Sequence, residues 1–459
     1  MAALPDNNDG AHSIEIGDHM TGRAFLPSTE VRASAEAQEG RNTAGLVQSG
    51  SAARERPLRV AVLLKTNSGG LWILPQVEEL RRRGHQVILI LPAGAGRLTV
   101  EMQQRGYEVI ASPFAFTFRP TLSTLRGLLG LRALLRRLGP DVVQYHLYAS
   151  ALAARLSALG LPARRVHTVA GPLYLESPLI RVVERLLWRL DHVTICGTEF
   201  TSKLYGDLGC PADRRPVATY GVNTDHFAPA RHGDSVPSRH DQRNVADRRA
   251  KRRAEWGIAQ DAFVAVMVAW VYPPRRLVHQ GRGIKGHDVL LEAWRHFRAH
   301  HPRAHLLLVG SGYGPTGEAH RENLIARYRI AADPNVTWLA SVEDVRPCYD
   351  VADVSVSPSL SEGHGAATEA SAMGVPSIVS DAGGLPETVD ERSGWVAPRG
   401  VVTALVSALE SAYREFEAGQ LVARGEQARR RAVELFDNRA AAIEVVDVIE
   451  RTARQVARR

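Results

Sequence analysis

The hydrophobic positions of this chain fall into short continuous runs that longer amphipathic segments separate. The first run covers 58–64, and an amphipathic stretch near 72–83 separates it from a second run at 86–91. Uninterrupted apolar runs of roughly four to eight residues are typical of strands buried on both faces. Further runs lie near 107–110, 141–145, 165–169, 192–196 and 216–219. Strands alternating with helices predict a parallel sheet covered by helices on both faces.

The same alternation stops and then begins again in the second half of the chain. Residues 231–255 are highly charged and nearly free of large apolar side chains. Apolar runs resume at 262–269 and 305–309 and continue near 335–338, 353–357 and 376–380. The pattern predicts an α/β protein with two doubly wound domains in tandem and a cleft between the carboxyl ends of their sheets.

Five segments follow from this pattern. Residues 1–56 have no sustained hydrophobic period and predict a disordered tail. We expect a first Rossmann-like domain over 57–230, a linker over 231–255 and a second Rossmann-like domain over 256–436. Apolar residues recur at helical spacing in the last segment, 437–459, which predicts a closing C-terminal helix.

Composition narrows the class of partner. The formal net charge is +8, which favours nucleic acid, an anionic membrane or a phosphorylated substrate. No basic stretch is interleaved with aromatic residues, so we expect no nucleic-acid partner. The three cysteines have neither metal-like nor disulfide-framework spacing, and no apolar run reaches the ~18–20 residues that span a bilayer. We therefore expect a cytoplasmic protein.

The segment 122–138 carries arginines beside many leucines. The favoured interpretation is an ordinary helix with its leucines on the sheet and its arginines in water. The alternative is a basic amphipathic helix that makes a peripheral membrane contact.

The most informative loop reads P-S-L-S-E-G-H-G over 358–365 and lies between a strand-like run and a helical one. Its glycines, Gly363 and Gly365, place unpaired backbone N–H groups where an anion is favoured. Glu362 and the nearby Glu369 suit sugar hydroxyls, because hydroxyl donors need acceptors. The loop therefore predicts a ligand that is both phosphorylated and rich in hydroxyls, such as a nucleotide sugar.

Other candidates flank the predicted cleft. Gly69 and Gly70 follow the first strand, where close approach of a ligand and a tight turn are equally good explanations. Lys285 precedes a predicted helix and suits a diphosphate, with a solvated loop as the alternative. His146 closes a strand, although a lone histidine is more often structural. The stretch 312–317 matches G-x-G-x-x-G, but we interpret it as a flexible turn and not as a dinucleotide site.

Together these residues resemble the family 4 glycosyltransferases. The similarity covers about 58–450 and is strongest over 353–397, with support from 221–225 and from Lys285-Gly286-His287. The resemblance implies a GT-B architecture, in which two Rossmann-like domains face a central cleft. It also implies retaining transfer of a hexosyl or N-acetylhexosaminyl group from a nucleotide-diphosphate sugar to a hydroxyl acceptor. A glycan, a lipid-linked sugar and a small natural product remain open as acceptors.

The resemblance also implies roles for individual residues. Glu369 would hold the ribose, Glu362 a hydroxyl of the donor sugar and Lys285 the diphosphate, so that Lys285 and Glu362 act in catalysis. It implies no cofactor and no metal, since the nucleotide sugar is a co-substrate. The implied donor-binding residues are Gly69, Gly70, Lys285, Glu362, Gly363, His364, Gly365, Ala366 and Glu369.

Three features depart from the family pattern. Six residues separate the two glutamates where the family usually has seven. Ala269-Trp270 stands where the family usually has glycine and a diphosphate-binding arginine, so Arg275, Arg276 or Arg282 would have to substitute. Ala170 stands where many members have a cleft histidine. These departures leave two alternatives open: a nucleotide-sugar epimerase and a catalytically weakened nucleotide-sugar-binding protein.

Overall fold

A computed structural model describes residues 56–229, 239–274 and 279–455 of the chain. The predicted tail, 1–56, lies outside these residues except at its last position. Within the described part, the strands form two six-stranded sheets in which every pairing between neighbouring strands is parallel. The two doubly wound sheets predicted from the alternation of strands and helices are confirmed.

The first sheet has the strand order β3-β2-β1-β4-β5-β6. Its strands are β1 (Arg59–Leu64), β2 (Gln86–Leu91), β3 (Glu108–Ala111), β4 (Val142–His146), β5 (Arg164–Val169) and β6 (Val193–Cys196). Its helices are α1 (Leu74–Arg82), α2 (Arg97–Gln104), α3 (Leu122–Leu138), α4 (Tyr148–Ser157), α5 (Pro178–Leu187) and α6 (Glu199–Asp207). The winding direction reverses between β1 and β4, which are neighbours in the sheet.

The second sheet has the equivalent order β9-β8-β7-β10-β11-β12 and reverses between β7 and β10. Its strands are β7 (Val264–Val268), β8 (His305–Val309), β9 (Val336–Leu339), β10 (Val354–Ser357), β11 (Ser377–Ser380) and β12 (Gly394–Ala397). The remaining helices are α7 (Arg239–Glu255), α8 (His287–Arg298), α9 (Gly314–Arg327), α10 (Arg346–Val351), α11 (Ala366–Ala372), α12 (Val402–Glu417), α13 (Leu421–Leu435) and α14 (Asn438–Arg454).

The charged segment 231–255 was expected to be a linker, and its described part forms helix α7. Arg249 and Arg253 both reach Asp353 at the start of β10, at nitrogen–oxygen distances of 2.6 and 3.0 Å. Arg253 is buried and also donates to the carbonyl of Val351. The charges of this segment therefore attach α7 to the second sheet.

The last helix, α14, packs on the first half of the chain. Val445, Val446 and Ile449 are fully buried, in one cluster with side chains of β1 and α1. Arg83, after α1, donates to Asp447 over 2.6 Å. The helical spacing seen in the sequence therefore corresponds to a helix that completes the core of the first domain.

Candidate active site

The predicted residues gather at the two points where the strand order reverses. Gly69 and Gly70 follow β1, and His146 ends β4, the neighbour of β1. Lys285 lies between β7 and α8, and Glu362 lies between β10 and α11. Ligands of doubly wound sheets bind at such reversal points, outside the carboxyl ends of the strands. The fold therefore places these candidates where ligands are expected.

Lys285 and Glu362 form an ion pair between Nζ and Oε2, with side chains 22% and 18% exposed. Burial lowers the pKa of Lys285, but the negative charge of the Glu362 carboxylate raises it by more, so the pKa of Lys285 is raised overall. Gly286 lets the two loops touch, because a Cβ there would lie 2.2 Å from the carbonyl oxygen of Pro358. A cation and an acceptor thus stand side by side, a combination suited to a phosphate next to a hydroxyl.

Glu369 lies in the first turn of α11. Burial raises the pKa of its carboxyl to about 7, against the opposing effect of the Tyr349 hydroxyl, which donates to Oε2 over 3.1 Å. This carboxyl therefore titrates near neutral pH. When ionised, it can accept hydrogen bonds from two hydroxyls.

The side chain of His364 is engaged between the two halves of the chain. Its Nδ1 lies 3.1 Å from Thr219 Oγ1, and its Nε2 lies 3.4 Å from Glu387 Oε2. Its ring packs edge-on against Phe436. His364 thus bridges the halves through its side chain, and the predicted donor contact there would fall to its backbone.

Glu387 was missed by the sequence reasoning. Its carboxylate accepts from the backbone N–H groups of Glu199 and Phe200, at 3.0 and 2.8 Å, at the start of α6. Burial raises the pKa of Glu387, but hydrogen bonds from His364 and these amides lower it overall. The available signal was a glutamate three residues after the glycine pair that follows β11.

Two glycines let the halves approach closely. A Cβ on Gly363 would lie 2.8 Å from the carbonyl oxygen of Ala170, and one on Gly384 would lie 2.4 Å from Thr198 Cγ2. Real Cβ atoms do not approach backbone oxygens that closely. The second half is therefore fitted against the loops that follow β5 and β6 in the first half.

The two glycines after β1 differ from each other. Gly70 has φ of 102°, a conformation that favours glycine, so turn geometry accounts for it. A Cβ on Gly69 would meet nothing within 4 Å. Asn67 fixes this loop by donating to the carbonyl of Ala93 over 3.0 Å. Turn geometry therefore explains the glycine at position 70 but not the one at 69. Close approach of a ligand at Gly69 stays a prediction.

His146 is fully buried, and burial lowers its pKa to about 3, so the ring is neutral at pH 7. Its Nδ1 lies 3.1 Å from the hydroxyl of Tyr220. Arg282 is turned towards α8, with Nη2 at 3.8 Å from Glu292. Arg275 and Arg276 lie outside the described residues.

Trp270 and Tyr272, after β7, and Tyr313, after β8, form a group of neighbouring aromatic side chains. Tyr272 and Tyr313 stack with ring centroids 4.9 Å apart, and Trp270 meets Tyr313 edge-on. Burial raises the pKa of Tyr272, and nearby Lys285 partly offsets this. Trp270 and Tyr313 are about half exposed. The G-x-G-x-x-G stretch, 312–317, was interpreted as a flexible turn, but its last four residues form the first turn of α9. Tyr313, just before that helix, belongs to the aromatic group beside Lys285.

The described residues contain no group of three or more His, Cys, Asp or Glu side chains arranged to hold a metal ion. The expectation that transfer needs no metal stays a prediction.

Comparison with known proteins matches both halves of the chain. A model of Glycosyltransferase Family 4 covers residues 73–226, and one of Glycosyl transferases group 1 covers 274–415. The chain belongs to the family 4 glycosyltransferases. Among solved structures, Anabaena HepE in complex with UDP-glucose has a TM-score of 0.68 at 17% identity, over 86% of this chain and all of that one. At that identity the likeness concerns the fold, which is GT-B.

Two curated relatives show the range of the family. A D-inositol 3-phosphate glycosyltransferase from Streptomyces bingchenggensis is 28% identical over 48% of this chain and 45% of its own length. A GDP-mannose-dependent phosphatidylinositol monomannoside mannosyltransferase from Mycolicibacterium smegmatis is 25% identical over 71% of this chain and 81% of its own. The chain spans about half the length of the curated D-inositol 3-phosphate glycosyltransferases that it matches.

Proposed function

We propose that this protein is a retaining glycosyltransferase that moves a hexosyl group from a nucleotide-diphosphate sugar to a hydroxyl acceptor. The observation that carries the proposal is the Lys285–Glu362 pair at the reversal point of the second sheet. A donor has a diphosphate bonded directly to a sugar ring, and this pair places a cation beside a hydrogen-bond acceptor.

In the proposed reaction, the bond between the sugar's anomeric carbon and the diphosphate oxygen breaks, and the electron pair leaves with the diphosphate. The acceptor hydroxyl attacks from the same face and forms the new glycosidic bond, so the configuration is retained. Its proton passes to the leaving diphosphate. Lys285 stabilises the negative charge that grows on that group, which is the main contribution asked of the protein.

Binding of the donor would redistribute the ion pair. With Lys285 drawn to the diphosphate, the Glu362 carboxylate becomes available to a hydroxyl of the donor sugar. Glu369 would accept the two ribose hydroxyls, and the backbone N–H groups around Gly363 and Gly365 would face the sugar or phosphates. Positioning and charge then supply most of the rate enhancement.

The relatives support a donor and an acceptor class. One relative is named for GDP-mannose and a phosphatidylinositol mannoside, and HepE was solved with UDP-glucose. We propose a GDP- or UDP-hexose donor and an acceptor whose hydroxyl belongs to a lipid-linked sugar or to an inositol phosphate.

The first test is a thermal-shift screen with GDP-mannose, UDP-glucose and UDP-N-acetylglucosamine, because a ligand of the folded state raises its stability. The stabilising donor is then incubated with and without an acceptor panel, and the products are identified by mass spectrometry. Donor conversion without acceptor would instead indicate an epimerase, and binding without any conversion a catalytically weakened binding protein.

A further inference from the structure

The first domain has an unusual outer surface formed by α3, α4 and α5. These helices follow β3, β4 and β5, and each connection steps across the sheet in the same direction, to β4, β5 and β6. Right-handed crossovers that step in one direction place their helices on one face of the sheet. The three helices therefore share a face, and α3 and α5 both begin at its carboxyl edge.

Helix α5 turns an apolar stripe outward. Leu179, Val182 and Leu186 are 73%, 67% and 68% exposed, and their spacing of three and four residues puts them on one side of the helix. A surface helix ordinarily turns such a stripe towards the core.

The inward side of α5 explains this inversion. Its buried residue is Glu184, which is fully buried and accepts from both Nη atoms of buried Arg155, at 2.8 and 2.7 Å. An ion pair therefore anchors α5 to the domain, and the apolar residues are left for another surface.

Helix α3 adds a second exposed stripe. Leu131, Leu134 and Leu135 are buried on the domain, in agreement with the ordinary interpretation of 122–138. The first turns differ, because Leu122, Leu125 and Leu129 are 54–70% exposed and lie on one side of the helix. Those leucines were expected on the sheet, and the structure places them in solvent.

The charges of this surface have one sign. Within the bounds of the three helices, which the structure describes in full, the only acidic residue is Glu184, already paired with Arg155. The exposed charged residues of α3 and α5 are Arg126, Arg136, Arg137, Arg181 and Arg185. By contrast, α13 also exposes apolar residues, Val422 and Val433, but mixes them with exposed Glu426 and Glu434.

We propose that the face formed by α3, α4 and α5 docks on an anionic lipid bilayer, with the leucine and valine stripes at the acyl boundary and the arginines at the headgroups. Apolar side chains fringed by cations alone are the pattern of a helix lying in a membrane interface. None of the helices in the described part of the chain is both long and apolar enough to cross a membrane. The proposal concerns binding and does not depend on glycosyl transfer.

The test is co-sedimentation of the full chain with vesicles of phosphatidylcholine alone and of phosphatidylcholine mixed with phosphatidylglycerol. We expect binding to the mixed vesicles that weakens as salt is raised. L179Q/V182Q/L186Q should weaken it about tenfold or more. R181Q/R185Q should weaken it about tenfold to thirtyfold, since each arginine near an anionic surface contributes roughly 1 kcal/mol.

The matched control is V422Q/V433Q on α13, which should bind like the wild type. All the substituted side chains are exposed, so each variant should keep the wild-type melting temperature and donor-induced shift. Failure of the wild type to bind, or equal binding to both vesicle types, overturns the proposal. So does self-association in sedimentation velocity that L179Q/V182Q/L186Q abolishes, because the face would then be an interface between copies of the chain.

Discussion

The burial of Glu369 predicts that donor binding depends on pH. In the proposed complex two ribose hydroxyls donate to the Glu369 carboxyl, which accepts them more strongly when it is ionised, and its pKa is raised to about 7. For that pKa the ionised fraction rises from about one tenth at about pH 6 to about nine tenths at about pH 8. Affinity for the donor should therefore rise about tenfold across this range, which corresponds to about 1.4 kcal/mol.

Stability of the free protein should change in the opposite sense. The pKa of Glu369 in the folded state lies above the ordinary value of 4.5. Between these values the folded state keeps a proton that the unfolded chain has released, so the free energy of unfolding falls as pH rises from about 4.5 to about 7. Roughly 1.4 kcal/mol per pKa unit gives a loss on the order of 3 kcal/mol.

Glu369→Gln separates these effects, because the amide stays neutral at every pH. Above about pH 7 the variant should be more stable than the wild type, yet bind the donor more weakly by roughly 1.5–3 kcal/mol. Both pH dependences should flatten.

The assays are calorimetric titration with an intact nucleotide sugar from about pH 6 to about pH 8 and thermal unfolding of the free protein from about pH 4.5 to about pH 8. An intact donor is needed because its diphosphate lacks the terminal phosphate group that titrates near pH ~6. The control is Glu426→Gln on exposed α13. If Glu369→Gln keeps the wild-type pH slope of binding, Glu369 is not the ribose acceptor.

Three further predictions concern other parts of the molecule. Lys285→Ala should lower turnover with saturating donor by ~100-fold or more, whereas exposed Lys203→Ala should leave it unchanged; near-normal turnover would move the diphosphate to another cation. Ile449→Ala, at a fully buried position of α14, should lower the free energy of unfolding by ~2–4 kcal/mol, against under ~1 kcal/mol for exposed Ile443→Ala; equal losses in denaturant titrations would contradict the packing of α14. Transfer should survive EDTA, because in the proposed reaction Lys285 stabilises the charge that a metal would otherwise stabilise, and loss restored by a divalent ion would refute this.

The sequence predicted where the strands and helices lie along the chain better than it predicted which strands are neighbours in a sheet. Alternating runs identified the strands, but nothing in a run specifies which strand lies beside it. Lys285 and Glu362 were each proposed from local context, whereas their pairing across 77 residues depends on β7 lying next to β10. The sequence therefore identified the individual residues of the candidate site but did not predict which of them contact each other.

What the sequence could not predict involved contacts between distant segments. Glu387 reaches α6 across 187 residues, a contact that exists only because the two halves meet. The outward stripe of α5 depends on Glu184 meeting Arg155, 29 residues earlier. Hydrophobic periodicity alone assigns such a stripe to the core. It contains no information about a buried ion pair that places the opposite side of the helix against the domain.

Helix α14 has a consequence for the order of folding during synthesis. The first half of the chain emerges from the ribosome first, and domains generally fold in that order. Here the half made first lacks Val445, Val446 and Ile449, which fill its core from the far end of the sequence. Until about residue 454 has been made, α1 keeps an uncovered apolar side while the entire second domain is synthesised. The domain begun first is thus completed last, and its apolar side stays exposed on the nascent chain throughout the synthesis of the second domain.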